Sequence, residues 1–225
     1  MSPRPLLLGH RGVRGRRYGV QENSVAAFDL ALDSGCDGFE FDVRLTADGR
    51  AVVCHDRKHG GVAVGECNLG QLSHLPLLED VLARYWRRAF LDIELKVPGL
   101  ESQILALLSA HIPQRGYVIS SFIPEVLVDL HARNQSLPLG LICETRSQLV
   151  RWSGTPITHL IAKQTLVTPR LIGEVHAAGK QIFVWTVNQP QAMLRLWEWG
   201  VDGIISDRAD VLVRAFAAGA PTSGA

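Results

Sequence analysis

The chain contains 225 residues, of which 47% are hydrophobic, and its formal net charge is +1. These totals are typical of one globular domain, and they indicate no general attraction to nucleic acid or to a membrane surface. No run approaches ~18 apolar residues, so we expect no stable membrane insertion and no nucleic-acid partner.

The cysteines and the two ends of the chain indicate its cellular setting. Four cysteines show no metal-site spacing and lie mostly among apolar residues: Cys36, Cys54, Cys67 and Cys143. They are more typical of reduced core residues than of a disulfide framework, which favours a cytoplasmic location. The three leucines at 6–8 are too few for a signal-peptide core. We expect one domain over residues 1–217 and a disordered tail over 218–225, and the sequence indicates no oligomeric state.

Segments with strand character alternate with segments with helix character along most of the chain. Strands are predicted at 6–9, 38–45, 89–96, 117–120, 139–143, 159–162, 181–186 and 203–206. Helices are predicted between a cap at Asn23 or Ser24 and Gly35, and at 76–85, 99–111, 124–134, 168–178, 189–199 and 208–217. Residues 57–75, which are rich in Gly and His, are expected to be irregular.

Eight strands, each followed by a helix or a helical turn, favour the α/β class and a (β/α)8 TIM barrel. The functional residues of such a barrel lie at the carboxyl ends of its strands. An open, doubly wound sheet is the alternative. It fits less well because the segment 9–12 lacks the G-x-G-x-x-G spacing and no P-loop occurs in the chain.

Residues 38–56 are predicted to form a β-hairpin that extends from the second strand. Glu40 and Asp42 are two residues apart in a strand, so they lie on one face. The segment 46–49, Thr-Ala-Asp-Gly, is a turn signal. A turn centred on Ala47 and Asp48 would place His55 opposite Glu40. Two carboxylates and a histidine would then converge within the hairpin alone.

Acidic side chains at neighbouring strand ends predict a metal site. Glu40 and Asp42 lie on the second strand, and Glu94 lies at the end of the third. Two carboxylates ~4 Å apart repel by about 4 kcal/mol at an effective dielectric constant of ~20. One divalent cation would relieve this repulsion, and three oxygen ligands select Mg²⁺ or Ca²⁺ over zinc.

The basic residues at the same strand ends indicate a phosphate substrate. Arg11 offers a planar fork and Lys96 a compact charge, and both suit a phosphate group. His10 and His55 can supply an acid and a base on opposite sides of a phosphorus atom. Trp185 could be a flat wall for a glycerol group or ordinary barrel packing. The set fits cleavage of a phosphodiester better than of a glycoside, and the chain has no G-x-S-x-G nucleophile elbow.

These residues resemble the glycerophosphodiester phosphodiesterase family. The similar motifs run in the family's order from residue 6 to about residue 217: His10-Arg11, Gln21-Glu-Asn-Ser24, Glu40-Phe-Asp42, His55-Asp56, Glu94-Leu-Lys96, Ser121-Phe122, Trp185-Thr-Val-Asn188 and Asp202-Gly-Ile-Ile-Ser-Asp207. The resemblance implies a TIM barrel that hydrolyses glycerophosphodiesters to sn-glycerol 3-phosphate and an alcohol. It also assigns a role to each site residue: metal ligands Glu40, Asp42 and Glu94, acid/base pair His10 and His55, and phosphate contacts Arg11 and Lys96.

The chain departs from the family pattern in two places. The family's usual Pro-Glu-Asn-Thr is Gln-Glu-Asn-Ser at 21–24. The family's insertion subdomain after its His-Asp motif, which helps to cover the substrate pocket in relatives, is nearly absent, since only 37 residues separate Asp56 from Glu94. Substrate preference is therefore where we expect this chain to differ.

Two other functions remain open from the sequence. A lysophospholipase D or sphingomyelinase-D-like enzyme would use the same fold and metal on a lipid head group. The near absence of the insertion that covers the substrate pocket would leave room for such a substrate. A phosphate-binding or regulatory barrel without turnover is the non-enzymatic reading. It predicts the loss of a histidine or an acid, and all five are present.

Overall fold

The structure, a computed structural model, describes residues 3–218. Within that range the strands are β1 Leu6–His10, β2 Gly38–Leu45, β3 Ala51–Val53, β4 Lys58–His59, β5 Val62–Ala63, β6 Phe90–Leu95, β7 Tyr117–Ser121, β8 Leu139–Cys143, β9 His159–Lys163, β10 Gln181–Trp185 and β11 Gly203–Ser206. The α-helices are α1 Val25–Asp33, α2 Leu78–Tyr85, α3 Glu101–Ala110, α4 Pro124–Arg133, α5 Arg146–Leu149, α6 Pro169–Ala177, α7 Pro190–Trp199 and α8 Ala209–Ala218.

Eight parallel strands close into a barrel, which confirms the predicted fold class. The order is β1, β2, β6, β7, β8, β9, β10 and β11, and β11 pairs with β1 to complete the ring. Each of these strands is followed by a helix on the outside, as the alternation in the sequence requires. Helix α8 ends at Ala218, so the predicted disordered tail lies, from residue 219 onward, outside the described residues.

Two apolar layers stabilise the barrel. The larger layer lies between the sheet and the helices, where Phe28 of α1 stacks on Phe39 of β2 with ring centroids 4.2 Å apart. The smaller layer fills the barrel interior and includes Leu8, Phe90 and Phe183. Because alternate residues of β2 and β6 face opposite sides, the outward aromatic layer forces the intervening carboxylates into the barrel.

The hairpin forms as predicted, but its predicted register is wrong by one residue. Val43 pairs with Val53, and the Cys54 amide donates to the Asp42 carbonyl at 2.9 Å. The loop holds three residues rather than two, since Gly49 has φ +76° and its amide donates to the Thr46 carbonyl. A left-handed residue after a type I turn is the usual three-residue hairpin loop. His55 is therefore not opposite Glu40 along the ladder.

The segment 57–75, predicted as irregular, contains a small hairpin of β4 and β5 followed by two short 3₁₀ turns. Its inner side packs a separate apolar cluster that includes Val52, Val64 and Leu72. This compact segment connects strand β3 to helix α2. In the described range no helix is long and apolar enough to cross a bilayer.

Candidate active site

The loop after β1 contributes the first residues of the site, and its backbone has an unusual conformation. Arg11 has φ +54°, a conformation that non-glycine residues rarely adopt, and its amide donates to Glu40 Oε2 at 3.0 Å. His10 Nδ1 lies 2.6 Å from Asp207 Oδ1, and its Nε2 lies 3.8 Å from Glu40 Oε2. An ionised carboxylate only accepts hydrogen bonds, so Asp207 keeps the hydrogen on Nδ1 and leaves Nε2 on the side of the carboxylates.

Asp207 is itself held in place. Its Oδ2 accepts from Asn188 Nδ2 at 2.7 Å, and its amide donates to Asn188 Oδ1 at 3.0 Å. Burial acts to raise the pKa of Asp207, but the hydrogen bonds from His10 and Asn188 lower it. The carboxylate is therefore ionised where it contacts His10.

Three carboxylates converge inside the barrel mouth. Asp42 pairs with Glu94 across β2 and β6, and ligand atoms of Glu40, Asp42 and Glu94 all lie within 4.8 Å of one another. All three are buried. Burial and the repulsion from Asp42 raise the pKa of Glu40 well above its ordinary value, and the same two causes raise the pKa of Glu94 to about 8.

Asp42 is the best compensated of the three. Burial acts to raise its pKa, but the charges of Lys96 and Arg11 and a hydrogen bond from Asn23 lower it. Lys96 Nζ lies 3.1 Å from Asp42 Oδ1 and 2.6 Å from Glu94 Oε1, so it forms an ion pair with both carboxylates. Arg11 Nε lies 3.3 Å from Asp42 Oδ2.

The two cations predicted to contact phosphate therefore lie against the acids, and both also line the same cavity. Part of the Arg11 fork is engaged elsewhere, since Nη1 donates to Glu22 Oε1 at 2.5 Å. Glu22 in turn accepts from Arg14 at 2.6 Å. A phosphate bound here would meet the remaining donors of Arg11 and the ammonium group of Lys96.

His55 reaches the cavity from the end of the hairpin. Its Nδ1 lies 2.9 Å from Asp56 Oδ1, and Arg44 donates twice to its carbonyl, at 3.0 and 2.8 Å. Partial burial lowers the pKa of His55 more than its contact with Asp56 raises it. The structure thus brings His55 and His10 to one cavity, although not through the ladder pairing expected from the sequence.

The cavity has a volume of about 290 Å³ and contains most of the predicted site. Its lining is His10, Arg11, Glu40, His55, Asp92, Glu94, Lys96, Phe122, Ile142, Glu144, Ile161, Trp185 and Ile205. Asp42 lies beneath this lining, with 1% of its surface exposed. Trp185 donates to the Ile161 carbonyl at 3.3 Å and meets the edge of Phe122, so it is both packed in the barrel and part of the wall.

Sequence reasoning assigned no site role to two buried polar residues next to the three carboxylates. Asp92 is fully buried, accepts from Ser120 at 2.5 Å, and has a pKa raised to about 7 by burial. Its alternation with Glu94 was the available signal. Asn23, with φ +56°, donates to Asp42 Oδ2 at 2.8 Å and accepts from the Asp42 amide at 3.3 Å.

The donor set fits a divalent cation. The three buried carboxylates are close enough together to coordinate one ion. Burial and repulsion raise the pKa of two of them, Glu40 and Glu94. A cation of high charge density would reverse that repulsion, and oxygen ligands suit Mg²⁺ or Ca²⁺.

Comparison with known proteins identifies the family of this chain. The model of the glycerophosphoryl diester phosphodiesterase family matches residues 10–101 and 70–211. The chain belongs to this family. A glycerophosphodiester phosphodiesterase of Caldanaerobacter subterraneus is 28% identical over 241 residues, which covers 92% of this chain and 96% of the relative. One from Bacillus altitudinis is 28% identical over 239 residues, with the same coverage.

A solved family structure shares the fold. The Oleispira antarctica phosphodiesterase, solved in complex with the product sn-glycerol-3-phosphate, superposes with a TM-score of 0.81 at 24% identity. The superposition covers 95% of this chain and 97% of that one. Closely similar barrels thus carry sequences that agree in only about a quarter of positions.

Proposed function

We propose that this protein hydrolyses glycerophosphodiesters to sn-glycerol 3-phosphate and an alcohol. The observation that carries the proposal is the junction of a buried three-carboxylate cluster with two histidines in one small cavity, in a chain of this family. The relatives named above and the product bound to the Oleispira antarctica structure support the same reaction.

A divalent cation, Mg²⁺ or Ca²⁺, held by Glu40, Asp42 and Glu94 would act as a Lewis acid on a non-bridging phosphoryl oxygen. Arg11 and Lys96 would neutralise the remaining phosphate charge, and Trp185 would form one wall of the substrate pocket. His10, oriented by Asp207, and His55 would serve as the acid/base pair, one taking a proton from the attacking group and the other giving one to the leaving alcohol. His10 ends β1 and His55 lies in the loop after β3, and these separate positions support approaches to the phosphorus from different sides.

The chain's other properties support a cytoplasmic enzyme of one catalytic domain, over residues 1–217. The four cysteines are free and buried, as is usual in a reducing compartment. The small cavity favours a small-molecule substrate.

The direct test is release of sn-glycerol 3-phosphate from glycerophosphocholine, with and without EDTA. We expect EDTA and Glu40→Ala to abolish turnover, and His55→Ala to reduce kcat by about 10²- to 10⁴-fold. His131→Ala on α4 and Glu174→Gln on α6 are the matched controls, expected at the parent rate. Turnover unaffected by EDTA would refute the metal mechanism, and a His55→Ala enzyme at the parent rate would refute the acid/base pair.

A further inference from the structure

The cavity is divided into two chemically different halves. Strands β1, β2 and β6, with the hairpin, supply its ionisable half, which the proposed function uses for phosphate. Strands β7 to β11 supply the other half, which is apolar apart from one side chain: Phe122, Ile142, Glu144, Ile161, Trp185 and Ile205. A phosphodiester bound at the ionisable half must direct one of its two substituents into this second half.

Two aromatic rings form a corner in the apolar half. Phe122, after β7, and Trp185, at the end of β10, have ring centroids 5.7 Å apart and planes at 83°. The Trp185 ring is fixed by its hydrogen bond to the Ile161 carbonyl. Aromatic faces carry negative π-density that attracts a cation, and Lys96 Nζ already lies over the Phe122 ring, 5.7 Å from its centroid.

Glu144 adds a carboxylate to the lining of the same cavity. It follows β8, between the strands that carry Phe122 and Trp185, and it lines the cavity. Its Oε1 is paired with Lys163 Nζ at 2.9 Å, while its Oε2 makes no hydrogen bond within the described part of the chain. Glu144 lines the cavity and Lys163 does not, so of this ion pair only the carboxylate belongs to the cavity wall.

We propose that Glu144 is a specificity-determining residue that selects substrates whose alcohol group is a cation, of the ethanolamine or choline class. The inference rests on the proposed function, because it presumes that the ionisable half holds the phosphate. A carboxylate with two aromatic faces is the usual receptor for an ammonium group. A neutral polyol would instead need several hydrogen-bonding side chains in the wall. This half of the lining offers only that of Glu144, apart from the indole N–H of Trp185, which already donates to the Ile161 carbonyl.

The test compares kcat/KM for glycerophosphocholine and glycerophosphoethanolamine with kcat/KM for the neutral-headed glycerophosphoglycerol. We expect Glu144→Gln to lower kcat/KM for both cationic substrates by about threefold to fivefold, since the carboxylate is half exposed. The neutral substrate should change by less than about twofold. Lys163→Met, which frees the carboxylate from its partner, should shift the preference towards the cationic substrates. Glu174→Gln on α6 is the matched remote control.

The outcomes separate this inference from the proposed function. Equal losses on all three substrates would mean that Glu144 contacts the shared glycerol group, and unchanged values would mean that it contacts nothing; either result overturns the inference while leaving the proposed function intact. Absence of turnover of all three substrates would overturn the proposed function. In that case calorimetry of glycerophosphocholine and glycerophosphoglycerol binding to the parent and the Glu144→Gln protein decides the inference, since equal affinities of the parent for both ligands would refute it.

Discussion

At the residue scale, the segment Gln-Glu-Asn-Ser at 21–24 shows how neighbouring side chains serve different parts of the site. Glu22 accepts from Arg11, Asn23 is bonded twice to Asp42, and Ser24 accepts from the Ala27 amide as the cap of α1. The sequence predicted the cap, at Asn23 or Ser24, from a local pattern, and identified the rest of the segment only by its resemblance to a family motif. The contacts of Glu22 and Asn23 with Arg11 and Asp42 are tertiary, so no local pattern contains them.

Asp207→Asn is expected to impair catalysis without unfolding the protein. An amide at 207 can donate to His10 Nδ1 and so favour the other tautomer, which would place the hydrogen on Nε2. We expect kcat to fall by about tenfold or more, with KM changed far less. Steady-state kinetics and a thermal melt measure the two effects. A parent kcat would show that the contact between Asp207 and His10 has no part in the reaction.

Substitutions of Asn23 are expected to lower the free energy of unfolding through both its backbone conformation and its side-chain hydrogen bonds. Asn23→Ala removes two hydrogen bonds to buried Asp42 and retains a left-handed φ, so it should lower the free energy of unfolding by about 1–3 kcal/mol. Asn23→Gly loses the same bonds but adopts that φ freely, and should be about 1 kcal/mol more stable than Asn23→Ala. Urea unfolding measures the difference. Equal stability of the two variants would contradict the backbone part of this account.

At the element scale, the alternation in β2 and β6 decides most of the site. Phe39, Phe41 and Leu91 face the helices, so Glu40, Asp42 and Asp92 must face the barrel interior. Gly38 permits the close pairing of these strands, since a Cβ there would lie 1.9 Å from the Phe90 carbonyl oxygen. The hairpin then brings His55, which follows β3, to the cavity that residues of β1, β2 and β6 line.

Strand β9 carries a buried histidine that makes stability depend on pH. Burial lowers the pKa of His159 from 6.5 to about 4, so the unfolded chain binds a proton there before the folded chain does. The stability is therefore complete above pH 6.5 and falls progressively towards pH 4, by up to about 3 kcal/mol. His159→Gln should lack this part of the decline. Urea unfolding of both proteins at pH 7 and pH 4.5 measures it, and parallel pH dependences would refute it.

At the scale of the whole molecule, a divalent cation is expected to couple the second and third barrel strands. A cation at 100 times its Kd should stabilise the fold by about 2.7 kcal/mol. That energy corresponds to a rise in Tm of about 5–10 °C for a domain of this size. Thermal melts with Mg²⁺, Ca²⁺ or EDTA measure it, and Glu94→Gln should reduce the rise.

The pKa of Glu94, raised to about 8, sets the direction in which pH changes this effect. Metal ligands must be deprotonated, so the cation-dependent rise in Tm should be larger at pH 8 than at pH 6. A rise that is larger at pH 6, or that persists undiminished in Glu94→Gln, would contradict binding at the three carboxylates.

The sequence by itself determined the barrel, the alternating faces of β2 and β6, and the three acids that share an edge. These follow from local periodicity and from the rule that parallel strands end on the same side. The resemblance to a family added roles for His10 and His55, which stay predictions until they are tested. The predicted register of the hairpin was wrong because two- and three-residue loops share the same turn residues. Only the left-handed φ of Gly49 distinguishes the three-residue loop from the two-residue loop.

Only the tertiary structure decided which side chains restrain the site and what the cavity's second half contains. Asp207 meets His10, and Phe122 meets Trp185, across strands far apart in the chain. Such contacts depend on ring closure and on the stagger of the strands, which set distances that no periodicity in the sequence encodes. The same closure places Glu144 in one cavity with Phe122 and Trp185, and the proposed choice of substrate rests on that arrangement.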